Sequence, residues 1–150
     1  MKLQNLYKRF VLYGALFVLC NQIEANGSEA FPDITMKQHF LMVSLNLFED
    51  EFPTLKEAGD LIGCSYQNVK RMAVQLAEKG FLQIMADNKD KRKLRLIPTD
   101  RFRELRRKND NVAECFMDKL YKDISESDLE VTFTTIQKMI ENINMSRKYK

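Results

Sequence analysis

The residues best equipped for recognition chemistry stand together: Ser65, Tyr66, Gln67 and Asn68, followed at once by Lys70 and Arg71. Carboxamides such as Gln67 and Asn68 carry a donor and an acceptor in one plane and can pair bidentately with an adenine edge, as Arg71 can with guanine. A serine at a helix start, together with the amides of the first turn, can hold a phosphate oxygen. A second group comprises Lys89, Lys91, Arg92 and Lys93. Cations on a projecting turn reach a phosphate backbone, or a narrow minor groove where the potential is most negative. Both groups lie in the one strongly basic stretch. Residues 65–108 hold thirteen Lys or Arg against five Asp or Glu, whereas residues 1–64 and 109–150 are each mildly acidic. The overall charge of +3 conceals this asymmetry. A local basic block points to an anionic partner, with nucleic acid the first candidate; the plain alternative is a solvated polar surface.

Other chemistries are poorly supplied. The chain has one histidine, His39, and three cysteines, Cys20, Cys64 and Cys115, with no CxxC pair. Neither a zinc site nor a disulfide framework is expected, and no cofactor. No glycine-rich phosphate loop or nucleophile elbow occurs, so an enzyme is not expected. Cys20 reads as a buried structural thiol, Cys64 as a packing residue, and His39 as a helix residue touching the core or an interface.

The elements that must position the recognition groups can be read from caps and periodicity. A first helix is expected up to about Ala25, broken by Asn26-Gly27-Ser28, with Pro32 preventing an early restart. Thr35-Met36-Lys37-Gln38 is a capping box opening a second helix that ends near residues 49–51. Thr54-Leu55-Lys56-Glu57 is another, opening a third helix that Gly63 stops. Ser65 caps a fourth helix, terminated at Gly80. Gly59 and Gly63 stand where two helices joined by a tight turn need a small residue and a left-handed one. On the fourth helix Val69, Met72, Ala73 and Leu76 form the stripe to be buried, leaving Gln67, Lys70, Arg71 and Val74 on the adjacent one. Residues 81–86, a polar turn at 87–91 and the alternating Lys93-Leu94-Arg95-Leu96 then predict a β-hairpin with a charged tip, where Asp90 orients Arg92 or caps the turn. Thr99 opens a long helix to about Asp123, and Ser125 a last one. The fold class is therefore mainly α with a small β-hairpin wing.

Two apolar seams flank this lobe. Leu3, Leu6, Phe10, Tyr13 and Phe17 recur at three- and four-residue steps, as do Leu129, Phe133, Ile136, Ile140 and Ile143. Lys8 and Arg9 before the apolar run 10–20 give the outline of a signal peptide. The run is too short to span a bilayer, and Val18-Leu19-Cys20-Asn21 lacks a small-residue cleavage site. A helix buried at an interface accounts better for the seam, in a cytoplasmic protein with no membrane partner.

Taken together, Ile34–Gln38, Thr54–Gly63, Val69–Gly80 with its Leu-Ala-Glu-Lys-Gly ending, and Asp90, Arg92 and Thr99 in the Asp-x-Arg…Thr wing spacing resemble the multiple-antibiotic-resistance regulator (MarR) family. The sequence departs from the family pattern at Ala58-Gly59 and at Pro98–Phe102. The resemblance implies one domain over 1–150. It comprises a winged helix-turn-helix lobe at 34–98 and dimerisation helices at 1–25 and 99–147. It implies a DNA-binding transcription regulator of repressor type, with Ser65, Tyr66, Gln67, Asn68, Lys70 and Arg71 in the major groove and Lys89, Lys91, Arg92 and Lys93 in the minor groove. A homodimer joined through Leu6, Phe10, Tyr13, Phe17, Leu129, Phe133, Ile136, Ile140 and Ile143, a pseudo-palindromic operator and a small-molecule effector are implied with it. The competing expectation is a winged-helix protein-interaction module without DNA binding.

Overall fold

The computed structural model describes residues 2–48 and 51–148, with side chains described for 7–27, 31–48 and 51–145. In chain order the elements are α1 (Lys2–Ala30), α2 (Met36–Ser44) continued by a 3₁₀ turn (Leu45–Leu47), α3 (Leu55–Ile62), α4 (Tyr66–Glu78), β1 (Leu82–Ala86), β2 (Leu94–Pro98), α5 (Asp100–Leu120) and α6 (Glu126–Lys148). The chain divides into two compact units, residues 1–113 and 114–150, with the division inside α5.

Within the first unit, helix starts follow the side chains that satisfy them. Thr35 accepts the Gln38 amide and Gln38 returns the bond to the Thr35 amide; Thr54 and Glu57 do the same at α3. Gly63 closes α3 at φ 68°, and Gly80, at φ 76°, follows α4, as left-handed terminators should. Gly59 has a different task. A Cβ there would come within 2.9 Å of the Cys64 carbonyl oxygen, so only glycine lets the turn between α3 and α4 fold back over its own helix. Cys64 packs against the core, as expected of it.

Leu41 and Met42 from α2, Leu45 from the 3₁₀ turn, Leu55 and Ala58 from α3, and Val69, Ala73 and Leu76 from α4 are fully or almost fully buried together. The hairpin closes this core. β1 and β2 pair antiparallel from Leu82↔Pro98 to Ala86↔Leu94, and Leu96 turns inward. A bridge from Thr54 to Arg95, with Leu96 donating its amide to the Pro53 carbonyl at 2.9 Å, fastens the hairpin to the segment that starts α3. Thr99 ties the far end: its hydroxyl donates to the Gly80 carbonyl at 2.7 Å and accepts the Phe102 amide, so α5 starts where expected despite the departure at Pro98–Phe102.

Three expectations need correction. The first helix does not break at Asn26-Gly27-Ser28 but continues to Ala30. Gly27 is buried against Met36 at the start of α2, where any Cβ would overlap the thioether, so this glycine serves close packing rather than a turn. The α-helical part of the second helix ends at Ser44 rather than near residues 49–51, of which 49 and 50 lie outside the described residues. The Ser44 hydroxyl donates back to the Leu41 carbonyl at 2.7 Å, a bond that competes with the helical ladder, and the chain tightens into the 3₁₀ turn. Cys20 is exposed on α1, not buried. His39 is half-buried, its ring stacked on Phe31 at 4.4 Å.

In the second unit the end of α5 passes through a turn at 121–123, with Asp123 at φ 62°, into α6, whose start Ser125 caps through the Asp128 amide at 3.2 Å. Among the described residues no helix is long and apolar enough to cross a membrane.

Candidate nucleic-acid interface

α4 is built with two faces. Val69, Ala73 and Leu76 are fully buried and Met72 nearly so, which fixes the rotation of the helix about its axis. Gln67, Asn68, Lys70 and Arg71 are consequently all exposed, with Tyr66 at the leading end. Ser65 takes the Asn68 amide at 3.3 Å as N-cap, and its own O–H remains a donor at the point where the helix dipole is positive. The structure thus gathers every residue expected on this helix to one solvent-facing surface. Gln75, further along the helix, is held by Gln38, whose side-chain amide donates to it at 2.9 Å from α2.

The hairpin tip is shaped by two aspartates. Asp87 Oδ1 accepts the amides of Lys89 at 2.8 Å and Asp90 at 2.7 Å, while the Asp87 amide donates to the Lys93 carbonyl at 2.9 Å. Asp90 performs both tasks foreseen for it. Its Oδ1 accepts the Arg92 amide at 3.2 Å and pairs with the Arg92 guanidinium at 3.1 Å. Lys89, Lys91, Arg92 and Lys93 are all exposed, Arg92 with 91% of its side chain accessible. Lys89 alone among the tip lysines has an ion pair among the described residues, with Glu51 at 3.3 Å.

Sequence reasoning passed over four residues. Lys56, in the first turn of α3, joins Tyr66, Arg92 and Lys93 around a cleft of about 290 Å³ between α3, α4 and the wing, where Glu57 and Asp60 also stand. Its position beside a capping box was the available signal. Arg95, Asp87 and Glu51 form a cluster under the wing. The Arg95 guanidinium bonds Asp87 Oδ2, the Phe52 carbonyl and Glu51, the last at 2.7 Å. Asp87 is buried, and the Asp90 amide followed by the Arg95 guanidinium lowers its carboxyl to about 2. An alternating strand shows that one residue faces one way and the next the other, but not which distant carboxylate it meets.

A second recess, of about 630 Å³ and open to solvent, lies along the first turns of α5, lined by Asn46, Pro98, Phe102, Arg103, Arg106 and Arg107 with acidic residues between them. Of the apolar seams, Phe10, Tyr13, Phe17, Phe133, Ile136, Ile140 and Ile143 are exposed on the single chain and Leu129 half-buried. Leu3 and Leu6 fall outside the residues whose side chains are described. Among the described residues no cluster of His, Cys, Asp and Glu could hold a metal ion.

No protein-family model matches the chain, and no curated protein does. Solved structures do. The transcriptional regulator SlyA superposes with a TM-score of 0.78 at 14% identity, covering 92% of this chain and 97% of that one. A MarR/EmrR family transcriptional regulator from Acinetobacter sp. ADP1 gives 0.76 at 18%, covering 91% and 97%. MarR itself gives 0.70 at 18%, covering 93% and 95%. The chain is similar to these over nearly its whole length, and its fold is that of the MarR-type winged helix-turn-helix regulators. Mainly helical architecture with a two-stranded wing, as read from the caps and the alternating strand, is what the structure has.

Proposed function

We propose that this chain is a sequence-specific regulator of transcription that binds double-stranded DNA as a homodimer, with α4 in the major groove and the wing against the flanking minor groove. One observation carries the reading: the base-reading types on α4 and the cations of the wing are all exposed on one lobe, and Tyr66 of α4 borders a cleft with Arg92 and Lys93 of the wing and with Lys56. A major groove about 12 Å wide admits a helix, and carboxamide and guanidinium side chains distinguish base pairs there. The wing cations add contacts to phosphate that confer affinity and orientation without reading sequence.

The dimer follows from the seams. The row of aromatic and aliphatic side chains exposed on α1, and separately the row exposed on α6, is apolar surface of the kind that marks an interaction site. A second copy would cover it, and two-fold symmetry would then present two α4 helices. Matching them to successive major grooves sets their separation near 34–36 Å and half-site centres about 10 base pairs apart in a pseudo-palindromic operator. A dimer seated on a promoter in the cytoplasm would act as a repressor by occupying it. In this reading a small-molecule effector, where one acts, would occupy the arginine-lined recess on α5. One structural neighbour at 16% identity and TM-score 0.68, the PcaV transcriptional regulator from Streptomyces coelicolor, was solved in complex with its natural ligand.

The test is selection of genomic fragments by the purified protein, followed by footprinting and sedimentation. The expected result is a dimer at micromolar concentration protecting two inverted half-sites. Absence of duplex binding even at low salt would leave the lobe as a protein-interaction module.

A further inference from the structure

We propose that Arg95, clamped between Asp87 and Glu51, is a positioning residue for DNA binding: it sets the pitch of the wing against α3 and α4 without itself being the group that reads DNA. This rests on the proposed DNA-binding function.

The hairpin is short; Leu82 at its base and Leu96 at mid-strand are its buried leucines, and Ile84 and Leu94 are only partly buried against the core. Beyond Ala86 and Leu94 the tip has no strand neighbour to hold its direction. A two-stranded ribbon is marginal alone and needs lateral support. The backbone bridge to Thr54 and the Leu96 amide bond to Pro53 hold the middle of β2, and the Arg95 side chain extends that support to the tip. It bonds Asp87, at the root of the tip turn, and on the opposite side it bonds the Phe52 carbonyl and Glu51, in the segment leading into α3. A guanidinium can do this because its donors form a rigid planar fork, so angles as well as distances are fixed. Asp87 passes the constraint on: its second oxygen accepts the amides of Lys89 and Asp90, so the cation-bearing loop is built on the same carboxylate that grips Arg95. Glu51 extends the clamp to the tip by pairing with Lys89 as well.

Most of the Arg95 side chain is covered, with 21% accessible, whereas Arg92 stands almost fully in solvent. A side chain so engaged is poorly placed to meet phosphate. Two carboxylates beside a surface meant for a polyanion are costly electrostatically, and their presence is understandable if they aim the wing.

The sign of the effect separates positioning from charge. Asp87→Asn removes a negative charge near the wing yet keeps an Oδ1 that can accept the two turn amides, and Asn is at home in turns. Charge alone predicts tighter binding to duplex; positioning predicts binding about five- to tenfold weaker. Arg95→Lys keeps the charge but replaces the fork by a single ammonium, and the same loss is expected. Glu51→Gln, at an exposed side chain with little folding risk, should weaken binding in the same direction by less. Hydrogen exchange read on the variants without DNA should show faster exchange of amides 88–93 with α3 and α4 still protected. Wild-type or improved affinity for both Asp87→Asn and Arg95→Lys, or unchanged exchange in the wing, overturns the proposal. If the wild-type protein binds no duplex, the DNA-binding reading fails instead, and the exchange measurement still decides whether Arg95 fixes the wing.

Discussion

α4 and α1 are both helices with apolar residues at helical spacing, and the structure treats them in opposite ways. On α4 the apolar stripe of Val69, Met72, Ala73 and Leu76 is sealed by α2, α3 and the hairpin, and the polar stripe faces water. On α1 the aromatic residues Phe10, Tyr13 and Phe17 remain more than half exposed, and the Tyr13 and Phe17 rings meet edge to face at 5.0 Å. The first helix therefore finds its environment within one chain, and the second has residues suited to a neighbour. Burial inside the lobe fixes the orientation of α4 and hence of its exposed polar stripe; under the proposed function, the exposed seams would make assembly a separate, concentration-dependent step.

The comparison can be broken most severely at the seam. Phe133→Asp, which places a charge in the middle of α6, should dissociate or unfold the dimer and abolish tight DNA binding, since an unpaired charge tolerates no apolar interface. Sedimentation of the variant checks this, and a wild-type protein that stays monomeric at micromolar concentration would remove the dimer. Next in size is the reading face of α4. Arg71→Ala should cost about 1–3 kcal/mol of specific binding and relax preference at one base position per half-site, with folding unchanged. Affinity and preference both at wild-type levels would take Arg71 off the reading surface. The wing should respond differently: Arg92→Ala is expected to lower affinity for all sequences alike and to flatten the salt dependence by about one unit of slope. Titrations at several salt concentrations would separate the two classes of contact.

Smaller effects probe the lobe itself. Gly59→Ala gains helix propensity of about 1 kcal/mol yet puts a methyl against the Cys64 carbonyl, so a net destabilisation of about 1 kcal/mol is expected in denaturant unfolding. A stabilised variant would show that the α3–α4 turn can shift to make room. The smallest effect is at His39. Burial, and then the charge of Arg106, hold its imidazole below the usual 6.5. The unfolded chain binds a proton there more readily than the folded one, so stability should fall as pH drops through about 6.5 and continue falling down to the depressed value. His39→Gln should remove that part of the slope. A wild-type protein equally stable at pH 7 and pH 5 would argue against the burial that causes the shift.

Much of the lobe was legible because its signals are local. Thr35, Thr54 and Ser65 announce helix starts through bonds to residues three positions on, and Gly63 and Gly80 announce ends through a backbone conformation other residues disfavour. The period of the apolar residues on α4 fixes its inner face, and by subtraction the outer face with Gln67, Lys70 and Arg71. Gly27 shows where such reasoning stops. A glycine beside Asn and Ser looks like a breaker, and only the approach of Met36, from the next helix, turns it into a packing residue within a continuing α1. Cys20 likewise followed an apolar run that looked buried, whereas its exposure depends on which face of α1 the rest of the chain covers.

By itself the sequence determined the order of the elements, the capped starts of α2, α3 and α4, the ends marked by Gly63 and Gly80, the two-faced character of α4 and the charged wing, because caps, periodicity and turn chemistry act within a few residues. Only the tertiary structure decided that Arg95 meets Asp87, Phe52 and Glu51, that Lys56 shares a cleft with Tyr66 and Arg92, and that Gly27 lies under Met36. These pairings join residues from different elements, and the side chains carry no local mark of the partner that folding brings to them.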